Sequence, residues 1–328
     1  MTKMKVEIVA KNLSAIFRFL LLVAITSCGK NKKTDEAAQQ MQQFVIDISN
    51  YAKAQNPHFI IIPQNGVELA FNNTDINSGI SVAYLNAVDA FGNEEVFTNS
   101  NGELKTDDER KQMLEELVKL KPCFVSEFVN NNSKISAVVA SDTAEHFIPF
   151  VRETDDYDYL KIPNTIVNEN ANDIDSISQV KNYLYLISSD NYSNNKHSMI
   201  QAIRNTNFDL VLIDLFSDTN TSFTAQEVDS IKTKLNGGKR LVISYISIGS
   251  AEKYRYYWQS DWKVHNPSWL KKKYNGYPDE VWVEFWNQQW RDNIFGNNNS
   301  YIKKIIDAGF DGTYLDNVEA YYSLYHNN

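Results

Sequence analysis

From residue 38 onward, short apolar or β-branched runs alternate with stretches whose apolar positions recur at helical spacing, which is the pattern of parallel βα units. The runs Phe59–Pro63, Ala87–Gly92, Cys123–Phe128, Tyr183–Ser188, Leu210–Asp214, Leu241–Ile248, Val281–Phe285 and Gly312–Asp316 predict eight strands. Helices are predicted over Met41–Gln55, Asp107–Leu120, Ser198–Asn205, Ala225–Leu235, Gln289–Phe295 and Tyr301–Ala308. Such an alternation fits an α/β fold of the (β/α)8 TIM-barrel type, which needs about 250 residues. Thr154–Gln179 is rich in Asn and Asp and poor in apolar periodicity. A domain split there leaves three strands on one side and five on the other, neither enough to close a barrel. Residues 38–328 are therefore read as one barrel, made of 38–153 and 180–328 and interrupted by a surface connection at 154–179.

The first 27 residues follow another pattern. Lys3, Lys5, Lys11 and Arg18 precede the apolar run Phe19–Ile25, and Thr26-Ser27 leads into Cys28. A basic start followed by a short apolar run is the order of a secretory signal peptide. Seven uninterrupted apolar residues fall far short of the roughly 20 that span a bilayer. Ile25-Thr-Ser-Cys28 resembles a bacterial lipobox, which implies cleavage before Cys28 and acylation of that residue. The protein is then expected to be exported and lipid-anchored to a bacterial membrane, the outer membrane or cell surface, with residues 28–37 as a solvated tether.

Composition narrows the possibilities. The chain of 328 residues is 43% hydrophobic and 22% charged, enough for a packed core. The net charge is −9, and because residues 1–27 carry four basic groups against one acidic, the remainder stands at −12. Nucleic acid is a poor partner for such a chain. Cys28 and Cys123 are the only cysteines; Cys123 lies in an apolar run and reads as a small core residue. The five histidines form no ligand spacing, and there is no glycine-rich phosphate loop or Gly-x-Ser-x-Gly elbow, so neither metal nor cofactor is expected.

The chemistry is expected at the strand ends. Glu94, Glu127, Asp214, Glu284 and Asp316 each close or follow a predicted strand. One such acid alone is ordinary helix capping. Several on one rim suit glycoside hydrolysis, in which one carboxyl protonates the leaving oxygen while another stabilises or traps the oxocarbenium-like carbon. All six tryptophans fall between 258 and 290. They read either as a hydrophobic minicore under a long loop or, for Trp262 and Trp286, as flat platforms for sugar rings.

Phe208-Asp-Leu-Val-Leu-Ile-Asp214, Ser244-Tyr-Ile-Ser-Ile-Gly249 with the following Ala251-Glu-Lys-Tyr-Arg-Tyr-Tyr-Trp258, and Gly309-Phe-Asp-Gly-Thr-Tyr-Leu-Asp-Asn317 resemble glycoside hydrolase family 114, the endo-α-1,4-polygalactosaminidases. Asn56-Pro-His-Phe-Ile-Ile-Ile-Pro-Gln-Asn-Gly66 and Asn93-Glu-Glu-Val-Phe97 are similar to further family blocks. The order differs, because the Asn-Pro…Pro-Gln-Asn-Gly strand ordinarily follows the Tyr-Leu-Asp strand and here precedes it. The resemblance thus implies a circularly permuted barrel, with 154–179 joining the old termini. It requires the strand ending at Phe128 to neighbour the one starting at Tyr183, and the strand ending at Asp316 to neighbour the one starting at Phe59.

The resemblance also implies roles: Asp316 as nucleophile and Glu94 as acid/base, with Glu95 the alternative if the alignment slips by one. Gln64, Asn65, Glu127, Asp214, Tyr245 and Arg255 are expected to line the pocket, with Trp262 and Trp286 on distal sugars. The substrate implied is an α-linked galactosamine or N-acetylgalactosamine polysaccharide. A different class, a non-catalytic glycan-binding lipoprotein, would have no need of the acid/base pair. Ser250 departs from the family, many of whose bacterial members carry Glu there.

Overall fold

The computed structural model describes residues 32–154, 159–193, 195–218 and 221–326. The signal-peptide and lipidation readings, with Cys28, lie outside them. The first element is a long helix, α1 (32–55), whose inward side buries Met41, Phe44, Val45 and Ile48. Residues 32–37, read as tether, are already helical, with Ala37 and Ala38 buried. Small apolar side chains at those positions let the helix lie close against the body of the fold.

Eleven strands follow among the described residues: β1 (Ile60–Pro63), β2 (Phe91–Glu94), β3 (Cys123–Phe128), β4 (Ile148–Arg152), β5 (Tyr183–Tyr185), β6 (Leu210–Asp214), β7 (Leu241–Ser247), β8 (Ser250–Glu252), β9 (Leu270–Lys273), β10 (Glu280–Val283) and β11 (Gly312–Asp316). Five form a parallel sheet in the order β1-β11-β7-β6-β5, and three form a second parallel sheet, β2-β3-β4. A parallel bridge between Gln64 and Gly92 joins the two at β1 and β2, reinforced by the Asn65 N–H donating to the Gly92 carbonyl at 2.8 Å. At the other margin β4 meets β5 through rings, Phe150 lying 5.6 Å from Tyr183 and 6.4 Å from Tyr185. No ladder pairing joins those two strands among the described residues.

The fold is thus mixed α/β around parallel strands, and β11 neighbours β1 in parallel as required, with Gly312 opposite Ile60. Two expectations are corrected. The Val281–Phe285 strand does not belong to the parallel set: β10 pairs antiparallel with β8 and β9 in a separate three-stranded sheet. Its place is taken by Ile148–Arg152, so the strand ending at Phe128 neighbours β4 rather than β5. Pro149 hides β4 in the sequence, since proline within a run demotes it as a strand. It is accommodated because β4 is the margin of its three-stranded ladder.

Aromatic side chains fill the interior: Phe124 packs edge-on against Tyr183 at 5.1 Å, and Tyr185 against Tyr314 at 5.5 Å. Gly92 is required here, because a Cβ at that position would stand 2.0 Å from the Tyr314 hydroxyl. Cys123 is buried and free, as a core residue. The tryptophan cluster is largely a minicore: Trp258, Trp262, Trp269 and Trp290 pack in succession at 4.9 to 5.4 Å, edge-on or tilted.

Candidate active site

Parallel strands end on one rim, and β1, β2, β6, β7 and β11 there surround a cleft of about 850 Å³. Its lining includes Gln64, Asn65, Glu94, Asp214, Tyr245, Arg255 and Asp316, so seven of the ten residues expected at the site converge. The other three do not line it. Glu127 is fully buried and faces the loop after β2, accepting the Val96 and Phe97 N–H groups at 3.0 and 2.7 Å and the Thr98 hydroxyl. Its carboxyl braces the segment that follows Glu94, and burial raises its pKa while those donors oppose the rise. Trp262 belongs to the minicore. Trp286 packs edge-on against Phe285 at 4.8 Å.

Asp316 ends β11. Tyr245, on the adjacent strand, donates its hydroxyl to Asp316 Oδ2 at 2.6 Å. Burial and the nearby Glu94 charge push the Asp316 carboxyl up to about 7, against the pull of the Tyr245 hydroxyl and the Asn317 N–H. Glu94 ends β2. Its Oε1 accepts the hydroxyl of Tyr159, and its Oε2 accepts Asn65 Nδ2 at 3.1 Å. Asn65 also receives the Glu94 N–H on its Oδ1 at 3.1 Å, so one side chain clamps both the backbone and the carboxylate. Asn65 does this from a left-handed backbone conformation (φ 60°), which asparagine tolerates better than most residues. Glu95 turns elsewhere, pairing with Arg152 at 2.7 Å, and of the two glutamates only Glu94 lines the cleft.

One wall is an ion network. Arg255 grips Asp214 with two bonds of 3.0 and 2.6 Å and Glu252 with two of 2.6 and 3.0 Å. All three are almost fully buried, so each charge depends on the others. Burial raises the Asp214 pKa, and Arg255 opposes it. Glu280 accepts the Ser250 hydroxyl at 2.5 Å, and burial with the Glu252 and Asp316 charges pushes it to about 8. Glu319 is likewise raised to about 8 by burial and by Asp316, Glu94 and Glu68, and its Oε2 has no hydrogen-bond partner.

Nine residues of the cleft lining carry carboxyl groups, against the single guanidinium of Arg255 among the described residues. The cleft therefore favours a cationic or strongly hydrogen-bonding occupant. No group of three or more His, Cys, Asp or Glu in a metal-holding arrangement occurs among the described residues.

Residues 194–328 match the model of glycoside-hydrolase family GH114. Over this segment the chain is similar to that family. The segment contains Asp214, Tyr245, Glu252, Arg255, Glu280 and Asp316, whereas Glu94, Gln64 and Asn65 lie upstream of it. An uncharacterized protein of Methanocaldococcus jannaschii is 35% identical over 46% of this chain and 41% of its own length. Uncharacterized proteins of Deinococcus radiodurans, 35% identical over 37% of both chains, and Thermotoga maritima, 31% identical over 36% of this chain and 35% of theirs, are also similar. The chain thus spans between 35% and 41% of the length of these curated relatives.

Sequence reasoning missed Glu252, Glu280, Glu319 and Tyr159. Glu252 and Glu280 belong to the antiparallel sheet, and no strand-end pattern marks them. Glu319 is three residues past the end of β11, where proximity to Asp316 was the available signal. Tyr159 lies in the stretch read as linker, and nothing in that composition singles it out.

Proposed function

We propose that the protein hydrolyses an α-linked galactosamine-type polysaccharide with Asp316 and Glu94 as its two working carboxyl groups. The observation that carries this reading is their convergence in one cleft, each held by a tyrosine hydroxyl, Tyr245 for Asp316 and Tyr159 for Glu94. In a retaining mechanism the Asp316 carboxylate attacks the anomeric carbon while Glu94 gives its proton to the departing oxygen. Water then attacks the glycosyl-enzyme, Glu94 takes the water proton, and Asp316 is released. The excess of carboxylates supports unacetylated amino sugars, whose ammonium groups would be held by them, over acetylated ones.

A second reading exchanges the two roles. Glu94 accepts two side-chain donors, whereas burial and the nearby Glu94 charge push Asp316 up to about 7, which suits a group that gives up a proton. The nucleophile is the residue whose replacement by Ala is rescued by azide with inverted azide product.

The eight parallel strands in the order β5-β6-β7-β11-β1-β2-β3-β4 support a single (β/α)8 barrel, closed between β4 and β5 and circularly permuted. The same reading takes Cys28 as the acylated N-terminus of an exported protein.

Reducing-end release from galactosamine and N-acetylgalactosamine polymers tests the activity. Cleavage of the first, abolished by Asp316→Ala and by Glu94→Ala, is the expected result. Binding of the polymer without release of ends would instead make the protein a glycan-binding module.

A further inference from the structure

The stretch between β4 and β5 is more than a connection. It is fixed at the far rim, where Asn170 Nδ2 donates to Asp209 Oδ2 at 3.0 Å and Lys234 ties the buried Asp209 to Asn172. At the catalytic rim it delivers Tyr159, which is 3% exposed and has φ 50°. The Tyr159 ring lies flat on Tyr185, with centroids 3.6 Å apart and planes 12° apart. Its hydroxyl meets two groups: Glu94 Oε1 and, at 2.9 Å, the hydroxyl of Ser126, which is fully buried on β3.

Both hydroxyls can donate and accept, and the direction of the chain is therefore free to reverse. We propose that Ser126 and Tyr159 form a reversible hydroxyl relay that positions Glu94 in both of its protonation states. With Glu94 ionised, Ser126 donates to Tyr159 and Tyr159 donates to Glu94. With Glu94 protonated, its O–H donates to the Tyr159 oxygen and Tyr159 donates to Ser126. No bond to carbon changes and the proton count of Glu94 alone differs. A group that must serve as acid in one step and base in the next gains a satisfied partner in each. The inference rests on Glu94 having the acid/base role proposed above.

The charged and titratable groups around Tyr159 and Glu94 include Arg152 on β4, whose guanidinium is 5.4 Å from the Tyr159 ring centre, Arg110, which donates to the Glu94 carbonyl, Asp316 and Tyr314 on β11, Tyr183 and Tyr185 on β5, and Glu319 after β11. Substitutions in the relay leave all of them in place. Burial and the Glu94 charge raise the Tyr159 pKa well above the usual phenol value, so the relay works with neutral hydroxyls near neutral pH.

The two links predict shifts of opposite sign. Tyr159→Phe keeps the stacked ring and removes a donor to the anion, which is the stronger of the two bonds. The alkaline limb of the pH profile of kcat/KM, where Glu94 loses its proton, should move up by about one pH unit, with kcat down about 10-fold and KM little changed. Ser126→Ala leaves the Tyr159 hydrogen without an acceptor when Glu94 is protonated, so the alkaline limb should move down. Difference infrared titration of 13C-labelled glutamate, with Glu94→Gln identifying the band, measures the same shifts without substrate. Opposite shifts of the Glu94 band in the two variants support the relay, and shifts of the same sign or none overturn it. If the wild-type protein cleaves no amino-sugar polymer, the proposed activity fails while the infrared result still decides the relay. Thermal melting of both variants, expected within a few degrees of wild type, checks that the fold persists.

Discussion

Tyr245 and Asp316 lie on adjacent parallel strands, Tyr245 opposite Tyr314 and Asp316 two residues further on, which puts both side chains on one face. The 2.6 Å bond from the Tyr245 hydroxyl to Asp316 Oδ2 is the consequence of that register. The bond favours the carboxylate, while burial and Glu94 favour the acid and hold Asp316 at about 7. Tyr245→Phe removes one of the two donors that lower this value, leaving the Asn317 N–H. The acid limb of kcat/KM should move up by about one pH unit, so that activity falls about 9-fold at pH 6 but only about 2-fold at pH 8. A pH-rate series on the variant checks this, and an unchanged profile would show that the bond carries no weight in the titration.

Glu319 gives a stability prediction with a definite sign. Its folded pKa is raised from 4.5 to about 8, so the native state binds its proton more tightly than the unfolded chain does. The penalty for ionising it is absent below about pH 4.5 and grows until pH 8 is passed. Glu319→Gln should therefore leave Tm nearly unchanged at pH 4.5 and raise it by about 3 °C or more at pH 8.5. Melting curves at the two pH values suffice.

Arg255 joins two strongly buried acids. Arg255→Ala strands Asp214 and Glu252 without their counter-charge, at a cost of about 3–5 kcal/mol. Arg255→Lys should recover only part of this, since one ammonium cannot reproduce two forked contacts. Urea denaturation of both variants measures the difference, and equal stability of the two would refute the forked role.

Gly92→Ala drives a methyl group into the Tyr314 hydroxyl. The strand that carries Glu94 has to shift, so stability should fall by about 1–3 kcal/mol and activity with it. Wild-type melting together with wild-type turnover would contradict this close approach.

Cys28→Ala is expected to move the protein from the membrane to the soluble fraction, and mass spectrometry of the wild-type N-terminal peptide should show acyl chains on Cys28. Unchanged fractionation and an unmodified peptide would remove the anchor from the proposed function.

The alternation of apolar runs with helical stretches was sufficient to place β1, β3, β6, β7 and β11, because each is largely buried on both faces and so is rich in apolar or β-branched residues. The same logic located Asp214, Glu94 and Asp316, since an acid ending such a run must lie on the common rim. Local pattern had no means of separating β10 from the parallel set, as a hydrophobic strand looks alike whichever neighbour it pairs with. Nor did it reveal β4, because Pro149 within the run disguises it as a non-strand. The partners of each carboxyl were decided by tertiary structure alone. Asp316 meets Tyr245 across 71 residues and Glu94 meets Tyr159 across 65. Hydrogen bonding and charge act through distances in space, and those are set when the sheet, the connection and the Arg255 network pack together.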